Sequence, residues 1–270
     1  MAYWYLFVGF LFIVLILIRF YAVDKRPCLR VLMYHKISND GSFDGLTVTL
    51  AHLEKQFEVL LKEGYSPILL SDLVDFIQSG KPLPRKPVLI TFDDGYRDNY
   101  TIMYPLLKKY GMKANIFLVP SFIQQTDETN VSAGEYLHVN DIHNMNTRLV
   151  EFGLHSFDHK SYTDLSAEQI DEDIAKCKQL LHTLSIDFQP CFAFPYGAFP
   201  KKNPAKLKQL NNTLAEHNIV LAFRIGNRLN SLPLKNPLLV QRLDIRGEHS
   251  IDKFKKLLQR GKEQFKLRAA

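Results

Sequence analysis

Seven short apolar runs recur along this chain, at residues 29–34, 88–92, 115–119, 150–154, 191–194, 219–223 and 238–243. Segments of helical period lie between them. Leu50, Leu53, Phe57, Leu60 and Leu61 return at three- and four-residue steps, as do Ile170, Ile174, Cys177, Leu180, Leu181 and Leu184. Ser166, followed by Glu168, supplies a start signal for the second helix. Strands that alternate with helices pair in parallel through right-handed crossovers, so the pattern predicts an α/β fold. The 270 residues suffice for one large core of this kind. Residues 80–87 read as a loop before the second strand, and the polar, aperiodic residues 121–134 as a surface loop.

Hydrophobic residues at 46% and charged residues at 23% exclude a disordered chain, a collagen-like chain and a polytopic membrane protein. Cys28, Cys177 and Cys191 are too few and too scattered for a disulfide framework or a cysteine-based zinc site. The net charge of +6 is concentrated at the two ends. No nucleic-acid partner is expected.

Residues 1–18 carry no charged side chain, with Tyr3, Trp4 and Tyr5 placed as an interfacial aromatic belt would be. About 20 apolar residues span a bilayer as a helix. With no Lys or Arg before the run and no A-x-A site after it, residues 1–22 are expected to be an uncleaved membrane anchor rather than a signal peptide. The chain would then be a single-pass membrane protein with the bilayer as a partner. Arg19, Lys25, Arg26 and Arg30 follow the run and favour a cytoplasmic placement of what comes next, but the side of the membrane stays open. Residues 23–28 are read as a linker and 29–250 as the catalytic unit. Residues 251–270 are read as a basic helix, with seven basic residues in 251–268 against Asp252 and Glu263.

Three of the apolar runs end in residues that are costly in a core and useful in a site. The second runs into Thr91-Phe92-Asp93-Asp94-Gly95. Two adjacent carboxylates cannot both enter a dry core unpaired, but they can divide labour, one holding a cation and the other accepting a proton. The fourth ends at His155-Ser156-Phe157-Asp158-His159, where histidines at i and i+4 share a face of a helical turn. With a carboxylate from another strand end they make three protein ligands and an open position, the arrangement of a hydrolytic metal site. The fifth runs into Phe194-Pro195-Tyr196-Gly197, a tight turn able to present a backbone N–H to an oxyanion. His35 follows the first run and either lines this site or is structural. His138 and His143, spaced i and i+5, are expected to be structural.

Together, T-F-D-D-G, H-S-x-x-H and F-x-F-P-Y-G in this order resemble the polysaccharide deacetylases, the carbohydrate esterase family with the NodB-like homology domain. Residues 32–37 (LMYHKI) and 242–247 (RLDIRG) resemble the branch acting on exopolysaccharides such as poly-N-acetylglucosamine. The resemblance covers about residues 29–250. It implies a distorted (β/α) barrel of about seven strands with the site at their carboxyl ends. Carried over position by position, it makes Asp94, His155 and His159 the ligands of one divalent metal, Asp93 the general base, and the Tyr196 N–H part of the oxyanion hole. Zinc is the default for such ligands, and iron, nickel and cobalt fit them too. Many members carry an arginine beside the base where this chain has Ala193; Arg242 is the candidate substitute. The family's late L-x-H histidine is missing, and His249 is the nearest stand-in as a catalytic residue.

The implied activity is hydrolysis of the N-acetyl amide of N-acetylated sugars in a polysaccharide or glycan. The alternatives are a hydrolase of non-glycan amides and a non-catalytic glycan-binding protein, the latter with no physical need of three metal ligands.

Overall fold

The computed structural model describes residues 27–125 and 135–261, and before them Trp4 and Gly9. Nearly all of the stretch read as an anchor and its linker lies outside the described residues, as do residues 126–134 and 262–270. Among the described residues no helix is long and apolar enough to cross a membrane.

Each of the seven apolar runs is a strand. They are β1 (Cys28–Tyr34), β2 (Pro87–Asp94), β3 (Ala114–Leu118), β4 (Val150–Leu154), β5 (Cys191–Ala193), β6 (Leu221–Ile225) and β7 (Val240–Asp244). All pair in parallel, β2 through β7 in chain order, and β1 closes the ring against both β2 and β7. The result is a closed barrel of seven parallel strands. A short strand, Ser66–Ile68, lies along the first residues of β2, and Asn230–Ser231 pairs antiparallel with the start of β1.

Burial on both faces explains why these strands read as continuous apolar runs rather than alternating ones. Every residue of β2 and of β3 is buried. The two faces nevertheless differ. Leu29 and Val31, Leu89, Phe117, Cys191, Leu221, Phe223 and Val240 form one cluster, contributed by successive strands, inside the barrel. Their neighbours in sequence, such as Leu32, Ile90, Ile116 and Phe192, face the surrounding helices. At Gly153 of β4 a Cβ would lie 2.6 Å from the Phe117 ring, so the aromatic filling of the barrel requires a residue without one.

The helices are α1 (Leu50–Lys62), α2 (Leu70–Ser79), α3 (Tyr104–Tyr110), α4 (Ala167–Thr183), α5 (Pro204–Glu216) and α6 (Ile251–Arg260). The periodic leucines of α1 bury Leu53, Phe57 and Leu60. Ser166 caps α4 as expected: its hydroxyl accepts from the Gln169 N–H while the Gln169 side chain accepts from the Ser166 N–H, a reciprocal cap. Ile170, Ile174, Cys177 and Leu181 of α4 then pack inward, with Asp173 among them.

Candidate metal and catalytic site

Alternation along β2 puts Leu89, Thr91 and Asp93 on the inner face of the barrel. By the same rule Asp94 would point the other way. Instead the strand ends there: Asp94 and Gly95 both take left-handed backbone, each with φ 71°, and both carboxylates line one cavity of about 260 Å³. Alternation along β7 likewise brings Arg242 inside, two residues after Val240. The cavity is also lined by His35, His155, His159 and Tyr196, and most of its residues come from the carboxyl ends of β1, β2, β4, β5, β6 and β7 and the turns beyond them.

The two histidines do not sit on a helix, as their spacing suggested. Residues 155–160 form an irregular loop, with Ser156 at φ 65° and His159 at φ 60°. The loop still makes them converge: the imidazole centroids are 5.1 Å apart, and Nε2 of His155 and of His159 lie 3.4 and 3.2 Å from Asp94 Oδ1. What holds the loop is a carboxylate on α4. Asp173 accepts hydrogen bonds from the Ser156 hydroxyl, the Phe157 N–H and the Tyr162 hydroxyl. That residue was missed from sequence, although a charge on the otherwise apolar buried stripe of α4 was the signal that could have found it.

Asp94, His155 and His159 are the one group of metal-capable side chains found among the described residues, with one ligand atom from each lying within 4.8 Å of the others. Their surroundings suit a divalent ion. Asp94 Oδ1 is buried without a hydrogen bond, a costly condition for a carboxylate oxygen that a cation would relieve. His155 Nδ1 lies 2.7 Å from the Ala193 carbonyl and His159 Nδ1 lies 3.1 Å from the Tyr196 hydroxyl. A carbonyl only accepts, so His155 Nδ1 carries the proton and its Nε2 presents a lone pair toward Asp94. Burial lowers the His155 pKa and favours the neutral, ligating form.

Asp93 is held differently. Arg242, the largest fully buried side chain among the described residues, donates from Nη1 to Asp93 Oδ1 at 2.6 Å and from Nη2 to Oδ2 at 2.7 Å. The guanidinium carbon lies 5.6 Å from the centre of the Phe117 ring. Burial alone would raise the Asp93 carboxyl, but the charge of Arg242, followed by that of His155, brings it down to about 2. The arginine absent at Ala193 on β5 therefore has a counterpart two strands away on β7, in a fork geometry that a lysine could not supply.

His35 lines the cavity with Nε2 3.9 Å from Asp93 Oδ2. His249 does not line it: it lies past the end of β7, its Nδ1 accepting from the Arg246 N–H at 3.2 Å. Tyr196 stands at φ 58° in the turn Pro195–Gly197 with its side chain 68% exposed. The next two N–H groups of that turn are committed, Gly197 to the Phe194 carbonyl and Ala198 to the Pro195 carbonyl; that of Tyr196 takes no part in these bonds. Gly197 is obligatory here, since a Cβ would meet Ile225 at 2.7 Å. His143 is spent elsewhere, its Nε2 3.1 Å from the Leu184 carbonyl.

A closed parallel barrel with a carboxylate and two imidazoles gathered at its strand carboxyl ends, beside a second carboxylate clamped by arginine, defines a class of barrels equipped for metal-assisted hydrolysis. Comparison with known families is consistent with that class. Residues 80–215 match the family model described as polysaccharide deacetylase, and the chain belongs to that family. Bacillus subtilis YxkH is 30% identical over 190 residues, covering 70% of this chain and 63% of YxkH. The poly-beta-1,6-N-acetyl-D-glucosamine N-deacetylase of Escherichia coli K12 is 25% identical over 243 residues, covering 75% of this chain and 35% of that enzyme. The chain thus spans less than two thirds of either relative. Among solved structures, Streptococcus pyogenes deacetylase PplD in complex with acetate superposes with a TM-score of 0.70 at 20% identity, over 87% of this chain and 99% of that one. IcaB from Ammonifex degensii superposes with a TM-score of 0.68 at 20% identity, over 86% and 96%. These likenesses show the shared fold.

Proposed function

We propose that this protein hydrolyses the N-acetyl amide of sugars in an exopolysaccharide, releasing acetate, with one divalent metal held by Asp94, His155 and His159. The observation that carries the reading is the pairing of that ligand set with a separate, arginine-clamped carboxylate in one cavity. Family membership and the N-deacetylases among the relatives support it. Two imidazoles and a carboxylate favour zinc, with iron, nickel and cobalt as the other ions that suit them. Such an ion supplies Lewis acidity, polarising an acetyl carbonyl and making water easier to deprotonate.

The remaining steps belong to side chains of the chain itself. Asp93, kept ionised by Arg242, takes the proton of the attacking water. The Tyr196 N–H faces the charge that develops on the acetyl oxygen. His35, which lines the cavity where His249 does not, delivers a proton to the departing amine. We assign residues 1–22 as a membrane anchor, on the strength of 18 uncharged residues at the start.

Acetate release from a panel of N-acetylated oligosaccharides, with and without chelator, tests the activity. His155→Ala is expected to lose the stoichiometric metal. Asp93→Asn is expected to keep it and to lose about 10²–10⁴ in rate. Metal lost from Asp93→Asn would make Asp93 a ligand and overturn the division of roles.

A further inference from the structure

Beside the catalytic cavity lies a larger groove of about 480 Å³, and the two share Gly197 and Ile225 as a common wall. Its floor is apolar, formed by Ala198, Phe199 and Pro200. Its charged residues are all cationic: Lys201, Lys202, Lys206 and Arg224, with no aspartate or glutamate among the lining residues. Some lysines elsewhere on the surface are neutralised locally, as in the pairs Lys81–Asp75, Lys109–Glu54 and Lys176–Glu172. None of the four groove cations forms an ion pair among the described residues.

Arg224 is the most constrained of them. It stands next to Ile225 at the carboxyl end of β6, with its guanidinium carbon 5.5 Å from the centre of the Phe199 ring. One Nη1 hydrogen bond goes to the Ile225 carbonyl, while the buried Nε has no partner. A guanidinium held over an aromatic ring is preorganised for an oxyanion. The three lysines stand on the turn after β5 and the first turn of α5, and add an exposed positive rim. Their charge is uncompensated, and the groove adjoins the reacting site across Gly197 and Ile225.

We propose that this groove is a subsite for an anionic substituent, a carboxylate or a phosphate, on the sugar next to the one that is deacetylated. The substrate is then an acidic N-acetylated glycan. The inference rests on the deacetylase reading for its chemistry, but the groove can be tested without turnover.

Three probes decide it: an oligosaccharide alternating N-acetylglucosamine with glucuronic acid, the same oligosaccharide with its carboxylates reduced to hydroxymethyl groups, and an N-acetylglucosamine oligosaccharide bearing phosphate on alternate sugars. Reduction preserves linkage and acetamide, so only charge changes. For the full-length protein, kcat/KM is expected to be about tenfold higher for the carboxylated than for the reduced probe, carried by KM, as a few partly exposed ion pairs would supply. The advantage should shrink in high salt. In Lys202→Glu/Lys206→Glu the ratio of charged to reduced should collapse toward one. A higher kcat/KM for the phosphorylated probe would assign the anion as phosphate. Equal kcat/KM for charged and reduced probes, or a ratio unchanged by the double substitution, overturns the subsite. If no probe releases acetate, the deacetylase reading fails by itself. Calorimetric affinities of the carboxylated and reduced probes then decide the groove: equal affinities overturn it, and a charge preference lost in the double variant upholds it.

Discussion

Arg242 shows how one residue can be indispensable without adding net stability. A guanidinium and a carboxylate taken from water into a barrel lose several kcal/mol each in hydration, which a bidentate contact of 2.6 and 2.7 Å offsets only while both partners are present. Removing one should therefore cost more than removing both. Arg242→Met is expected to destabilise the fold by about 3–5 kcal/mol, and adding Asp93→Asn in that background to recover much of the loss. Urea unfolding of the four members of the cycle measures this; simple additivity of the two single changes would show that the pair is not coupled. His35 and His249 give a second contrast at this scale. His35→Ala should lower kcat while keeping the metal, and His249→Ala should leave kcat in place, because only the former faces the cavity. A fall in kcat confined to His249→Ala would reverse the assignment. The carboxylates and the paired histidines were legible in the sequence because strand ends must explain their charges. The ownership of His35 was not, since nothing in a sequence says which of two histidines faces inward.

At the level of elements, all seven strands were legible because burial on both faces writes an unbroken apolar run, and their ends moved by at most two residues. The loop at residues 155–160 was read wrongly as a helical turn. Spacing alone cannot distinguish a helix from a loop whose left-handed residues, Ser156 and His159, bring two side chains together. The tie that makes this loop possible is long-range: Asp173 on α4 accepts from Ser156, Phe157 and Tyr162. No local pattern contains that tie. Burial raises the Asp173 carboxyl, so its bonds to the loop are made against a desolvation cost. Asp173→Ala is expected to leave the strands in place but to free the loop, weakening metal affinity about 10–100-fold, the usual range for groups that orient a metal's ligands. Competition against a zinc indicator checks it, and Asp173→Asn, which retains an acceptor for the Phe157 N–H, should fall in between. Undiminished affinity in Asp173→Ala would mean that the loop holds its shape unaided.

The whole molecule has a polarity that follows from parallel pairing. Every strand of the barrel runs the same way, so all carboxyl ends, and with them the site, share one face. The chain enters at Pro27, whose carbonyl accepts from the Leu232 N–H beside the amino end of β1. Seven residues of extended strand, roughly 20 Å at about 3.3 Å per residue, separate that entry from the cavity. An anchor at residues 1–22 would therefore tether the barrel by the face that holds the amino ends of its strands and leave the catalytic face turned away from the bilayer. The arrangement predicts that a long polymer reaches the site as readily in the tethered protein as in the free one. Full-length protein in lipid nanodiscs and a variant beginning at residue 27 in solution should show the same kcat/KM on a polymeric substrate. They should also show the same ratio of polymer to short oligosaccharide. If the tethered protein accepts short oligosaccharides but rejects the polymer, the membrane covers the site, and the barrel is held by another face than the one that β1 enters.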